Sequence, residues 1–505
     1  MALSETLEKL HAIDRESRYL DRAVAVLRWD QETYLPEKGV EERSEQLALL
    51  EGIAHDRLTS SESGRLLAEL GSSCENPRGD ESLPPLERDF LGVFHRNYDR
   101  AVKLPGDFVS AAARAEGLSQ AAWVEARRDN DFSKFLPHLI KMIDFSKRKA
   151  NYWGFEKNPY DGLLDIYEPG MGAENMGAVF TPLGKRLSAL IKKISSCPPP
   201  DSSFLTHNFD IETQANFNRQ LLERLGFDLS RGRLDVSAHP FTTTLGADDI
   251  RITSRYLPAQ IQSGIFSLIH ESGHAFYEMD FSDEIRKTCL ADGASMGIHE
   301  SQSRLWENVI GRSLAFWKIM FPLLRSYFPG ALSFVSVEDF YRAINLVEPS
   351  LIRIEADEVS YSLHIILRFD IEKELFSGSL DPAELPNAWR QKMIEYLGVE
   401  PDSDSQGVLQ DVHWSMGAFG YFPSYALGNL YGLQIWDKLK SELPVDDLIA
   451  SGNFNSIRSW LRDNIYVWGR RLKPGELLYK ITGKELSMEP FFGYIESKYT
   501  GIYGL

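Results

Sequence analysis

The chain has 505 residues, 43% of them hydrophobic and 25% charged, a composition that excludes collagen-like, fibrous and mainly disordered proteins. Lys and Arg total 55 against 73 Asp and Glu, a net charge of −18, so the mean field repels phosphate backbones and anionic lipid; neither a nucleic acid nor a membrane is an expected partner. The three cysteines, Cys74, Cys197 and Cys289, are too few and too scattered for a disulfide framework or a CxxC pair, and read as reduced thiols of a cytoplasmic protein.

The opening stretch MALSETLEKLHAIDRESRYL carries charges every few positions and lacks the apolar core of a secretory signal, so no export is expected. No later run is long and apolar enough to span a bilayer. Leu7, Leu10 and Ile13, then Leu20, Ala23, Val24 and Leu27, recur at the three- and four-residue spacing of an amphipathic helix, and the same pattern returns along most of the chain. Three stretches break it, 71–85, 195–204 and 399–407, each rich in Pro, Gly, Ser and acidic residues. Helical patterning resumes on both sides of each, so they are expected to be surface loops rather than linkers.

Asp249 to Leu257 alternates apolar and polar residues until Pro258 stops it, the one clear strand signal. Phe241 to Leu245 is a plausible partner strand, with 246–249 as the turn. The fold class expected is mainly α: a large helical protein with a deep central cleft and a small β-sheet beside the active site.

After Pro258, the segment from Ile261 to Phe281 reads as a helix and contains His270-Glu271-Ser272-Gly273-His274, the HExxH pattern. Residues four apart share a helix face, so both imidazoles can hold one Zn²⁺. Glu271 lies beside the ion without needing to bind it, placed to take a proton from the attacking water and pass it to the leaving amine. Gly273, costly by about 1 kcal/mol inside a helix, suggests that something approaches the backbone closely. The bland alternative is a satisfied histidine pair.

A catalytic zinc usually takes three protein ligands. Glu300 is the best third candidate, at the head of what reads as one long helix through Leu305, Trp306, Val309, Ile310 and Phe316. Glu307 is either an outer partner of the site or an ion-paired surface carboxylate. His299 is either a donor facing the substrate or a satisfied histidine.

HESGH, GIHESQSRLWEN and DIRITSRY together resemble the thermostable-type (Taq) carboxypeptidase family of zinc metallopeptidases. Further blocks in order support it: LRWDQETYLPEKGVEER, PYDGLLDIYEPGM, the His239-Pro240-Phe241 triplet, IRIEADEVSYSLHIILR, GVLQDVHWSMGAFGYFPSYALGN and LRDNIYVWG. The resemblance covers nearly the whole chain. It implies a metal-dependent carboxypeptidase that releases single C-terminal residues with broad specificity, as a homodimer. It places the metal ligands at His270, His274 and Glu300 and the catalytic glutamate at Glu271. The chain departs from the family pattern at Met279-Asp280, Ser254 and Tyr466, which leaves the metal ligands intact.

An exopeptidase must hold a free α-carboxylate, a task suited to an Arg fork. Arg353 is the first choice, with an ion pair to the nearby Glu355, Asp357 or Glu358 as its alternative. Arg251 points off the apolar face of its strand and either lines the cleft or forms a salt bridge. Tyr421, Tyr425 and His413 are candidate donors to the oxyanion or the substrate, and His239 enters by resemblance. Zn²⁺ is the expected cofactor, with Co²⁺ or another divalent ion sharing the same ligands, and peptides with a free C-terminus are the expected partners. Residues 1–505 are expected to form a single two-lobed metallocarboxypeptidase catalytic domain. A dipeptidyl carboxypeptidase or oligopeptidase on the same zinc, or an inactive peptide-binding scaffold, are the rival readings.

Overall fold

Apolar periodicity becomes helix over most of the chain; in the helix Ala2–Thr33, Leu7, Leu10, Ile13 and Val24 are at most 8% exposed, whereas Leu20 and Leu27 are only partly buried and Ala23 is exposed. The structure, a computed structural model, describes residues 2–505. The fold is mainly α with one small sheet. A connected set of buried apolar side chains runs from Leu7 to Ile502. The stretches 71–84, 195–202 and 399–407 are loops, as their composition indicates. No helix among the described residues is long and apolar enough to cross a membrane.

The sheet has three strands in the order β1-β3-β2: β1 (Gly232–Val236), β2 (Thr242–Gly246) and β3 (Asp249–Ser254). β2 and β3 form the expected antiparallel pair, with Thr242 opposite Ile252. β1 was not expected; it lies parallel to β3 on the other side, with Leu234 opposite Ile252. Ile250 and Ile252 are fully buried. Side chains of β2 on one face, Thr242 and Thr244, reach Glu271 and Glu278 of the HExxH helix, Ile261–Met279. The sheet is therefore a support along which that helix lies.

The expected single long helix after Glu300 is instead broken into three pieces. An α-helix, Met296–Arg304, passes into a π-helical turn, Leu305–Ile310, and a new helix, Leu314–Tyr327, begins after a turn. Ser313 starts that last helix by accepting a hydrogen bond from the Phe316 amide at 3.1 Å, the N-cap chemistry that competes with helix continuation. The wider π turn shifts the register of the residues after Arg304, a device common at functional sites.

Gly273 has the close neighbour that its helical cost suggested. A Cβ there would lie 2.6 Å from Ser303 Cα and 2.7 Å from the Gln302 carbonyl oxygen, so the HExxH helix and the Met296–Arg304 helix meet backbone to backbone. Gly273→Ala would gain about 1 kcal/mol of helix propensity, but overpacking against immobile backbone costs about 1–3 kcal/mol. We expect a net loss of stability, read as a lower urea midpoint; a raised midpoint would show that the helices are not locked at this contact.

Candidate metal centre and active site

The HExxH helix presents His270 and His274 one turn apart, as the spacing requires. The Met296–Arg304 helix starts at Ser295, whose hydroxyl accepts from the Ile298 amide at 3.0 Å, and Glu168 accepts from the Gly297 amide at 3.2 Å. Glu168 is buried, and burial lifts its carboxyl to about 7 against the hydrogen bonds from Tyr431, Ser295 and Gly297. This anchoring sets Glu300 one turn in, 6% exposed, opposite the histidines. Gly428, on the helix Pro423–Glu442, makes room for it: a Cβ there would lie 2.6 Å from Glu300 Cγ.

Glu300 Oε2 lies 3.8 Å from His270 Nε2 and 3.5 Å from His274 Nε2. A tetrahedral ion with bonds of about 2.0–2.1 Å separates its ligands by about 3.4 Å, so these three donors fit one small divalent ion. The other ring nitrogens are committed elsewhere. His270 Nδ1 donates to Glu307 Oε2 at 2.9 Å. With His299 neutral, its Nε2 donates to Glu278 Oε1 at 2.8 Å and its Nδ1 accepts from His274 Nδ1 at 2.6 Å. Both arrangements leave an Nε2 lone pair for the ion, the usual work of outer partners at a metal site.

Burial alone would push the His270 imidazole down, but the Glu300 and Glu307 carboxylates outweigh it and carry His270 up to about 9. His274 is held down at about 3 by burial. Burial would raise Glu300, yet Arg304 and the imidazoles keep it well below the usual carboxylate range. Arg304 Nε donates to Glu300 Oε1 at 2.7 Å, which leaves Oε2 for the ion. Glu271 is also buried; its Oε2 accepts from Thr242 Oγ1 at 2.6 Å, and burial pushes its carboxyl up.

A second cluster adjoins the first through Tyr361, whose ring lies 4.1 Å from the Arg304 guanidinium and whose hydroxyl accepts from Arg353 Nη1 at 3.3 Å. Arg353 and Arg368 share one carboxylate, Asp411, at 2.8 and 2.5 Å. Arg353 thus pairs with Asp411 and not with Glu355, Asp357 or Glu358. The Tyr425 ring lies 5.1 Å from the Arg353 guanidinium, and His413 lies 5.4 Å from Tyr421, ring to ring. His413 is pushed down to about 4, chiefly by burial, and its Nδ1 is buried without a hydrogen-bond partner among the described residues. The 417–422 loop is pinned by Glu372, which accepts from the Gly420 amide at 2.9 Å and from Trp414 Nε1 at 2.7 Å.

A model of the carboxypeptidase Taq (M32) metallopeptidase family matches residues 9–499. The chain belongs to the M32 family of metallocarboxypeptidases. It is 41% identical to thermostable carboxypeptidase 1 of Thermus thermophilus over 98% of this chain and 99% of that one. It is 39% identical to carboxypeptidase 1 of Bacillus subtilis over 97% of each chain. The crystal structure of an M32 carboxypeptidase from Deinococcus radiodurans superposes with a TM-score of 0.96 at 37% identity, covering 99% of this chain and 100% of that one.

In this M32 chain His270, His274 and Glu300 come together with Glu271 beside them, and Arg353, His413, Tyr421 and Tyr425 gather next door. Arg251 does not join either group. It extends from the face of β3 opposite Ile250 and Ile252, pairs with Asp249 at 2.9 Å and packs 4.3 Å from the Trp29 ring. His239 sits in the β1–β2 connection with an exposed side chain that makes no hydrogen bond among the described residues. His299 is satisfied at both nitrogens, behind His274. Of the departures from the family pattern, Tyr466 donates to Gln302 at 3.1 Å and Asp280 pairs with Arg458 at 2.6 Å, and neither contact involves a metal-ligand candidate. Thr242, Glu278, Arg304, Arg368 and Asp411 were not singled out by sequence reasoning; Arg304 acts on Glu300 and Glu307 at helical spacing, while the other four matter through contacts between distant segments.

Because His270 stays protonated up to about pH 9 without the ion, loading the metal-free protein must displace that proton. We expect release of about one proton per chain near neutral pH, and affinity that climbs about tenfold per pH unit on the acid side of that value. Calorimetry in buffers of differing ionisation enthalpy measures this; metal uptake without proton release would contradict the arrangement.

Proposed function

We propose that this M32 enzyme is a zinc carboxypeptidase that hydrolyses the C-terminal peptide bond and releases single amino acids with broad specificity. The observation that carries the reading is the convergence of two Nε2 lone pairs and Glu300 Oε2 within 3.8 Å of one another's shared oxygen, with Glu271 buried nearby and outside that trio. His270, His274 and Glu300 would hold the ion. When bound, it supplies Lewis-acid polarisation of the scissile carbonyl and makes water more acidic. Co²⁺ or another divalent ion could replace zinc, since donor type alone does not separate them.

Glu271 acts as general base and then general acid. Thr242 fixes its Oε2, leaving the other oxygen to take a proton from the attacking water and return it to the leaving amine. Its raised affinity for a proton suits a group that must carry one in mid-cycle. Two guanidinium groups on the single carboxylate of Asp411 leave one positive charge uncompensated, which favours an arriving α-carboxylate at Arg353. The unpartnered Nδ1 of His413 and the hydroxyls of Tyr421 and Tyr425 are available to the same end of the peptide or to the oxyanion.

We read residues 1–505 as one two-lobed catalytic unit; the continuous core from Leu7 to Ile502 favours a single unit. Three unpaired cysteines fit a reducing, cytoplasmic setting, and family resemblance favours a homodimer.

Digestion of a peptide with a blocked N-terminus tests the cleavage mode. Single amino acids should appear one after another, and a C-terminal amide should slow the reaction at least about tenfold by removing the charge that Arg353 would hold. Dipeptides or internal fragments as first products would replace this reading with a dipeptidyl carboxypeptidase or an oligopeptidase. Glu271→Gln should lower kcat by about 10²–10⁴-fold while metal content stays unchanged. Near-wild-type turnover in that variant would remove Glu271 from the proton transfer.

A further inference from the structure

Away from the catalytic trio, the loop before the helix Pro85–Val102 contributes to a second gathering of donor atoms. Cys74 Sγ, a ring nitrogen of His95 and a carboxylate oxygen of Asp99 lie within 4.8 Å of one another. His95 and Asp99 are four residues apart and project from one helix face, while Cys74 reaches them from the loop.

Its hydrogen bonds hold the imidazole in a single tautomer with one ring nitrogen free. Ser72 Oγ donates its only proton to the Pro77 carbonyl at 2.8 Å, so at 2.9 Å from His95 Nδ1 it can only accept. Nδ1 therefore carries the ring proton and Nε2 the lone pair. That Nε2 is buried, in a side chain 8% exposed overall, and has no hydrogen-bond partner among the described residues. A buried acceptor left unpaired is costly in an otherwise well-satisfied interior, and a cation would satisfy it. The Cys74 thiol donates to Asp99 Oδ1 at 3.5 Å, so a proton lies where a cation would bridge sulfur and oxygen. Lys103 holds the other oxygen of Asp99 at 2.7 Å, which leaves Oδ1 toward the thiol.

We propose that Cys74, His95 and Asp99 form a second metal site, for a thiophilic divalent cation of the zinc class, that fastens the 71–84 loop to the helix Pro85–Val102. Mixed sulfur, nitrogen and oxygen donors select such an ion over Mg²⁺ or Ca²⁺. On binding, the Cys74 S–H bond breaks, the proton leaves to solvent, and sulfur donates its electron pair to the cation. Cys74 is exposed, so water completes the coordination. The site is separate from the trio in sequence and in its supporting elements, and does not depend on the peptidase reading.

Cobalt substitution of the full-length chain tests this, because thiolate-to-Co²⁺ charge transfer absorbs in the near ultraviolet and His270, His274 and Glu300 offer no sulfur. We expect the metal-free protein to take up about two Co²⁺ per chain with a near-ultraviolet charge-transfer band. Cys74→Ser should abolish the band and reduce uptake to about one, with peptidase activity unchanged, and Asp99→Asn should weaken the second equivalent about 10–100-fold. A wild-type protein that binds a single Co²⁺ without the band, or a band that persists in Cys74→Ser, would overturn the proposal.

Discussion

The arrangement around the centre follows from one constraint, the burial of several carboxylates within a few ångströms of each other. Glu271, Glu300 and Glu307 are all enclosed, and so many negative charges in a water-poor space are tolerable only with positive charge beside them. Arg304 answers part of this by contacting Glu300 at 2.7 Å and Glu307 at 3.5 Å. His270 answers another part by holding a proton, and a divalent ion would replace that proton with a larger charge. The chemistry proposed for the site and its electrostatic balance are thus the same problem, solved by the same ion.

Much of this was legible in the chain. The helix bearing HExxH, the β2–β3 hairpin and the surface loops follow from local spacing, because helix and strand periods are properties of neighbouring residues. Gly273 announced a close approach before its partner was known. The strand β1 was missed because a parallel partner is joined through long connections, and GRLDV carries only a short alternation. The broken helix after Arg304 was missed because Leu305, Trp306, Val309 and Ile310 keep an apolar rhythm through the π turn, while the Ser313 cap that ends it is a single hydroxyl.

Pairings between distant segments were the hardest to read. Asp411 lies far along the chain from Arg353, and nearer acidic residues offered themselves as partners; Glu358 instead pairs with Lys498 at 2.7 Å, and Asp357 caps the backbone at Val359 and Ser360. Arg251 shows the reverse. Its alternation along β3 was read correctly, but which sheet face meets the HExxH helix is decided by packing of Ile250 and Ile252, and that turns Arg251 toward Trp29. His299, weighed as a donor to substrate, is placed behind His274 by Glu278, a residue with no motif of its own.

Glu300 rests directly on the backbone of Gly428, and the helix that carries Gly428 continues from the very loop that holds Tyr421. A sideways displacement of the ligand carboxylate would press on that helix as a rigid rod, and the rod would shift the loop at its near end. The position of the ligand carboxylate and that of the Tyr421 loop are therefore coupled through one helix, and Gly428 is the point at which a substitution would strain both.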